Sequence, residues 1–105
     1  MTQLEQAEEK LKGMLAAAQL PRKASYNPGE VCTILGVVDR TFWRLLSQYE
    51  RDERGTLRRP DCLDSITLSR HRRVLYDELV AFMLRNNSYE RAHAVHPDQM
   101  DLFAS

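Results

Sequence analysis

Apolar residues near the amino terminus recur at close to heptad spacing, at Leu4, Ala7, Leu11, Met14, Leu15 and Ala18. Thr2, with Glu5 three positions later, is the signature of a capping box, so the pattern predicts an amphipathic helix that ends before Pro21. The stripe covers barely two heptads. Two interpretations therefore stay open: the helix packs on its own domain, or it contributes to a homodimer.

A second helix start is marked by Asn27-Pro28-Gly29-Glu30, in which Asn suits the N-cap, Pro the first helical position and Glu the third. Gly36 is expected to form the turn that follows. Three apolar residues lie on one face of this short helix: Val31, Ile34 and Leu35.

A third helix is predicted from about Asp39, because apolar residues then follow at i, i+3, i+4 and i+7. These are Phe42, Leu45, Leu46 and Tyr49. The opposite face is polar and mostly basic, with Arg40, Arg44, Gln48 and Arg51. Two short helices joined by a glycine turn, the second with an apolar and a basic face, are typical of a DNA-binding pair.

The rest of the chain predicts a loop, a small hairpin, a helix and a tail. Charges, Gly55 and Pro60 indicate an exposed loop from Arg51 to Asp64. The β-favouring runs 65–69 and 72–75 predict two strands around a Ser69-Arg70-His71 tip. A last helix, from Tyr76 to Arg85, is expected to bury Leu79, Phe82 and Met83. Beyond it, residues 89–105 are predicted to be a flexible tail.

Composition narrows the class of protein. The 105 residues carry fifteen basic and fifteen acidic side chains, whereas DNA-binding proteins usually have a basic surplus. The distribution is uneven: from Leu20 to Leu75 there are eleven Lys and Arg against seven Asp and Glu, and both ends are acidic. No apolar run is long enough for a membrane span, and the first residues do not resemble a secretory signal. A cytoplasmic location is the default expectation.

Residues that would indicate catalysis or a cofactor are not grouped in a recognisable way. Two cysteines, Cys32 and Cys62, do not indicate a disulfide framework. His93 and His96 have no further ligand nearby, so no metal site is expected. There is no phosphate loop, nucleophile elbow or paired-carboxylate site. We therefore expect no cofactor and no enzymatic activity.

The central segment resembles the excisionase branch of the MerR-like winged helix-turn-helix proteins. The resemblance lies in Tyr26-Asn-Pro-Gly-Glu-Val-Cys-Thr-Ile-Leu-Gly-Val and Arg40-Thr-Phe-Trp-Arg-Leu-Leu, with a basic hairpin at 70–74 and Asp77-Glu78-Leu79 after it. It covers residues 26–85. Val38 departs from it, because the family usually has Ser or Thr before this helix, so Asp39 is a candidate cap. The loop at 51–64 is also longer than is usual.

The resemblance implies a mainly α fold with a small β-hairpin, a winged helix-turn-helix. It divides the chain into an N-terminal helix (1–20), a DNA-binding domain (21–88) and the tail (89–105). The residues expected to contact double-stranded DNA are Arg40, Thr41, Trp43, Arg44, Arg58, Arg59, Arg70, His71, Arg72 and Arg73. The alternative is that the arginines form solvated faces and that Trp43 completes the core. The implied function is a sequence-specific regulator, or an excisionase-like architectural factor, of a mobile element or phage.

The end of the chain resembles the bacterial sliding-clamp-binding peptide. In Gln99-Met-Asp-Leu-Phe, the resemblance implies that the Gln99 amide forms hydrogen bonds, while Met100, Leu102 and Phe103 offer apolar side chains to a cleft. Met100 stands where leucine is usual. The alternative is that Leu102 and Phe103 pack on the protein's own core. If the peptide binds the clamp, the protein is an adaptor that recruits the clamp to its binding site.

Overall fold

Residues 2–87 are described by a computed structural model, and the tail residues Gln99, Met100, Leu102 and Phe103 lie outside this range. The described part is a small, mainly helical domain of four helices and one three-stranded antiparallel sheet. The elements in chain order are α1 (Gln3–Ala17), β1 (Ser25–Tyr26), α2 (Pro28–Leu35), α3 (Asp39–Ser47), β2 (Ile66–Leu68), β3 (His71–Leu75) and α4 (Tyr76–Arg85). None of these helices has the length and apolar character required to cross a membrane.

Helix α1 packs on its own domain. The Thr2 hydroxyl accepts a hydrogen bond from the Glu5 backbone amide at 3.1 Å, as the capping signature predicts. Ala7, Leu11 and Leu15 are buried, and the main packing partner of α1 is α4. Most of the apolar stripe is therefore used inside the domain, as the first of the two interpretations expects.

Helix α2 begins at the predicted cap. The Asn27 side chain accepts from the Glu30 amide at 2.7 Å, and the Glu30 carboxylate accepts from the Asn27 amide at 3.0 Å. The Lys23 ammonium also binds this carboxylate and holds the pKa of Glu30 below its ordinary value. At the other end, Gly36 has φ of 69°, a left-handed conformation that glycine adopts without a Cβ clash.

Helix α3 lacks a side-chain cap. Val38 occupies the N-cap position, and Asp39 is the first helical residue, so the expectation that Asp39 takes over the cap is wrong. The Asp39 carboxylate accepts instead from the Cys32 thiol at 3.3 Å. Phe42 and Leu45 are buried as predicted.

Two residues assigned to the polar face of α3 are used elsewhere, because α3 ends at Ser47. Gln48 lies at the C-cap, and its amide donates to the Asp61 carbonyl. Arg51 lies beyond the helix, where its guanidinium donates to the Gly55 carbonyl and to the Tyr49 hydroxyl. The Gln48 and Arg51 side chains therefore stabilise the loop after α3 by hydrogen bonds to its backbone carbonyls.

The sheet has the strand order β1-β3-β2, so it contains one strand more than the predicted hairpin. Tyr26 pairs with Val74, and β2 pairs with β3 from Ile66↔Arg73 to Leu68↔His71. The sequence prediction placed His71 in the tip, and this is wrong: His71 is the first residue of β3. Only Ser69 and Arg70 form the turn, because a two-residue connection suffices when Ser69 adopts φ of 58°.

The loop from 51 to 64 is exposed only in its first part. Cys62 and Leu63 are buried, against the expectation of an exposed loop. The Leu63 amide donates to the Leu45 carbonyl at 3.0 Å, and Arg85 donates to the Cys62 carbonyl at 2.8 Å. This segment therefore ties α3 to α4. Burial also raises the pKa of the Cys62 thiol.

Helix α4 has the predicted bounds but a shifted buried face. Leu79 is buried as expected, whereas Phe82 and Met83 are only half-buried, and Tyr76 and Val80 are buried in addition. Phe82 and Met83 line an apolar groove of about 320 Å³ beside Asn87, the last described residue. The other residues that line it are Lys10, Met14, Leu35, Val37, Leu45 and Asn86.

The burial of α1 gives a test of how it supports the domain. Leu11→Ala should lower the free energy of unfolding by about 2–5 kcal/mol, because it removes a fully buried side chain and leaves a cavity. Leu4→Ala is the matched control: Leu4 is on the same helix but 56% exposed, so its loss should cost within about 0.5 kcal/mol. Urea denaturation followed by circular dichroism measures both. Equal effects of the two variants would show that α1 does not pack as described.

Candidate nucleic-acid interface

Helix α3 presents one solvent-facing side. Arg40, Trp43 and Arg44 lie on it because positions i, i+3 and i+4 share a face. All three are exposed, while the half-buried Thr41 lies at the edge of this side. The opposite side of the helix buries Phe42 and Leu45, which fixes the direction in which the arginines project.

Trp43 is neither buried nor isolated. Its indole is 47% exposed and makes an edge-on contact with the buried Phe42 ring, at 5.1 Å between centroids and 78° between planes. The Arg72 guanidinium lies over the indole at 5.9 Å from its centroid, within cation–π range. Trp43 therefore does not complete the core. It joins α3 to the hairpin.

The hairpin arginines have different neighbours. Arg72 donates to the Ser65 hydroxyl at 3.0 Å while it contacts Trp43. Arg73 is half-buried and donates to the hydroxyl and the carbonyl of Ser25, at 3.0 and 3.1 Å. Arg70, at the turn, and His71 are exposed. Arg73 thus fastens β3 to β1, whereas Arg70 and His71 project into solvent.

An open cleft of about 640 Å³ brings these elements together. It lies between the start of α2, the exposed side of α3 and the hairpin. Its lining residues are Asn27, Pro28, Trp43, Thr67, Arg70, His71, Arg72 and Arg73. Asn27, Pro28 and Thr67 were not predicted as site residues from the sequence. The Asn-Pro cap predicts only where α2 begins, and its closeness to the hairpin depends on the β1–β3 pairing.

Five predicted site residues do not line this cleft: Arg40, Thr41 and Arg44 on α3, and Arg58 and Arg59 in the loop. Arg58 is 3.8 Å from the Glu50 carboxylate, and Arg59 is 3.0 Å from the Asp61 carboxylate. The hydrogen bond to Asp61 raises the pKa of Arg59 above its ordinary value. By contrast, Arg40, Arg44 and Arg70 form no ion pair with any carboxylate of residues 2–87. Both the exposed side of α3 and the hairpin turn thus carry arginines without an ion pair.

The chemistry of the cleft is that of a binding surface. It contains four hairpin cations or donors, one aromatic face and no carboxylate. Within the described range, no three His, Cys, Asp or Glu side chains are grouped so that they could hold a metal ion. Such a surface is suited to a large anion, with guanidinium groups for phosphate oxygens or base edges.

Comparison of the chain with protein-family models, curated proteins and solved structures finds no match. The interpretation of the cleft therefore rests on its own geometry and on the motifs in the sequence.

Proposed function

We propose that this protein binds double-stranded DNA through a winged helix-turn-helix in which α3 is the recognition helix and the β2–β3 hairpin is the wing. The observation that carries the proposal is that Trp43, which shares the exposed side of α3 with Arg40 and Arg44, lines one cleft with the hairpin arginines, and that Arg72 packs on Trp43. A recognition helix and a wing must face the same nucleic acid, and this contact holds the two elements together.

The dimensions of α3 fit this role. Its nine residues extend about 13.5 Å, and α2 braces it from behind through buried Val31 and Ile34. Asp39, the first residue, is the one acidic residue of α3, so the rest of its exposed side carries no negative charge. Arg40 and Arg44 lie one turn apart, a spacing that lets both reach into a major groove, where arginine binds guanine in a bidentate manner.

The biological role follows the resemblance of residues 26–85 to excisionases and MerR-like regulators. We propose a small transcriptional regulator or an excisionase-like architectural factor of a mobile element or phage. On this proposal the protein is not an enzyme, because every function assigned to the cleft is binding.

The recognition helix is tested by Arg44→Ala. A target sequence is first selected from random duplexes with the parent protein. The variant should then bind that target about 1–3 kcal/mol more weakly, with relaxed preference at one base pair, because a bidentate base contact is lost. Fluorescence anisotropy with a labelled duplex measures this. Arg54→Ala, in the exposed 51–64 loop, should bind like the parent. If Arg44→Ala also binds like the parent, Arg44 has no part in recognition.

The wing is tested by the salt dependence of binding. Replacing both Arg70 and Arg72 by Ala should weaken binding to all sequences and reduce the log–log salt slope by roughly one for each lost phosphate contact. Arg73→Ala is the matched control, since its guanidinium is occupied by Ser25. That variant should keep the slope but unfold more easily. An unchanged slope in the double variant would assign the hairpin arginines to an ordinary solvated edge.

The pentapeptide Gln99-Met-Asp-Leu-Phe favours a second function, recruitment of the bacterial sliding clamp. It lies outside the described residues, so this proposal stands on the sequence alone. An extended peptide with one amide and two adjacent apolar anchors suits an apolar cleft on a partner. In the competing arrangement, Leu102 and Phe103 pack on their own domain, and the groove between α1 and α4 is the candidate binding site for them.

Calorimetry with purified clamp separates these two arrangements. Full-length protein should bind with roughly micromolar affinity, because a segment ordered on binding loses entropy. Replacing Leu102 and Phe103 by Ala should weaken binding at least about tenfold, since each buried side chain contributes ~1.5–3 kcal/mol. The same variant should have the melting temperature of the parent. Asp98→Ala is the control and should bind the clamp as the parent does. If the titration with clamp shows no heat of binding and the double variant melts at a lower temperature than the parent, self-packing is indicated instead.

A further inference from the structure

The sheet has two edge strands, β1 with two residues and β2 with three, and the β2 edge is the more exposed. In the order β1-β3-β2, strand β2 is paired on one side only, and all three of its residues are exposed. Natural sheets usually protect such an edge with Lys, Pro or a bulge. Strand β2 is short, which is another such protection, but its three residues Ile66-Thr67-Leu68 include no charge and no proline.

The backbone of Thr67 points toward the β2 edge. In a two-residue hairpin the residues that flank the turn, here Leu68 and His71, exchange backbone hydrogen bonds. Because the direction alternates along a strand, Ile66 and Leu68 direct their backbone groups to β3, and Thr67 directs its N–H and C=O away from it. An additional strand would bind there.

The outer face of the same strands carries three exposed apolar side chains. Ile66, Leu68 and Leu75 are 37%, 57% and 42% exposed, and the strand register places them on one face. His71 and Arg73 also lie on that face: His71 is exposed beside the turn, and the Arg73 guanidinium is drawn to Ser25 on the far side of β3. The positive charge of Arg73 is therefore held away from the β2 edge.

The segment is complementary to itself. Residues 65–69 read Ser-Ile-Thr-Leu-Ser, with no charge in a chain that is 29% charged. In an antiparallel pair centred on Thr67, Ile66 meets Leu68 of the second copy, Leu68 meets Ile66, and Thr67 meets Thr67. Ser65 and Ser69, just outside the paired residues, are uncharged. Apolar cross-strand pairs of this kind stabilise a sheet, and no like charges oppose each other.

We infer that β2 is the docking site for a second copy of this chain, which joins edge to edge in a two-fold, six-stranded sheet. A two-fold interface brings the same patch of both subunits together, as the symmetry of residues 65–69 requires. The axis runs perpendicular to the sheet, so the faces that carry Arg72 point the same way in both copies. The contact involves few residues, so the dimer is weak and concentration-dependent. This inference does not depend on DNA binding.

Sedimentation equilibrium of the full chain without DNA tests the inference. From about 10 µM to about 1 mM, the range expected for a small interface, the mean mass should rise from 12.2 kDa toward twice that value. Thr67→Pro should remove this rise, because it deletes the outward N–H while the hydrogen bonds to β3 stay intact. Leu68→Lys should also remove the rise in mass, because it places a charge opposite Ile66 of the second copy. Leu68 is 57% exposed, so the core is left intact. If circular dichroism shows that Thr67→Pro is unfolded, the result for Leu68→Lys decides the test alone.

Leu4→Lys is the matched control, since Leu4 on α1 is as exposed as Leu68 and should not affect association. A parent protein that stays at 12.2 kDa over the whole range would overturn the inference. So would association of both folded β2 variants at parental strength, or loss of association in Leu4→Lys. The last result would place the contact on α1.

Discussion

The arrangement of the cleft depends on the burial of one side chain, Tyr26. The ring is fully buried, and its hydroxyl accepts from the Lys23 amide and donates to the Pro21 carbonyl, both at 2.9 Å. Its backbone pairs with Val74 of β3, and the next residue, Asn27, is the N-cap of α2. A single residue thus connects the hairpin to the helix pair. If Tyr26 were smaller, the hydroxyl network and the β1–β3 register would be lost together, and the hairpin would no longer be fixed against α3.

Local signals in the sequence predicted the helices well. The Asn27 cap, the left-handed turn at Gly36 and the limits of α4 depend on residues within four positions of each other, so they are visible without the fold. The two-residue strand β1 and the buried Cys62-Leu63 segment depend on partners far away in the chain. No periodicity reveals them. The same reason explains why Gln48, assigned to a polar helix face, holds a loop instead.

The residues of the candidate site were also predicted only in part from the sequence. Arg40, Arg44, Arg70 and Arg72 were named from the sequence, and the structure places all four as exposed residues of α3 and the hairpin. Which arginines remain available was not predictable, because pairing is a tertiary property. Arg73 binds Ser25, and Arg59 binds Asp61, although their local sequences resemble those of the unpaired arginines. Carboxylates thus pair with Arg58 and Arg59 in the loop, whereas Arg70 and Arg72 beside the cleft form no ion pair within residues 2–87.

The hairpin has two dissimilar faces because side chains alternate along a strand. Thr67, Arg72 and Val74 share the inner face, where Arg72 meets Trp43, whereas Ile66, Leu68 and Leu75 share the outer one. A shift of one residue in the β2–β3 register would exchange these sets and place leucines against the indole. The buried Val74, opposite Tyr26, opposes such a shift on β3. The inner face therefore contributes the Arg72–Trp43 contact to the cleft, whereas self-association uses the outward backbone of β2 and the outer face. Thr67 belongs to both, because it lines the cleft and its backbone forms the β2 edge, but the two proposals are tested by different measurements.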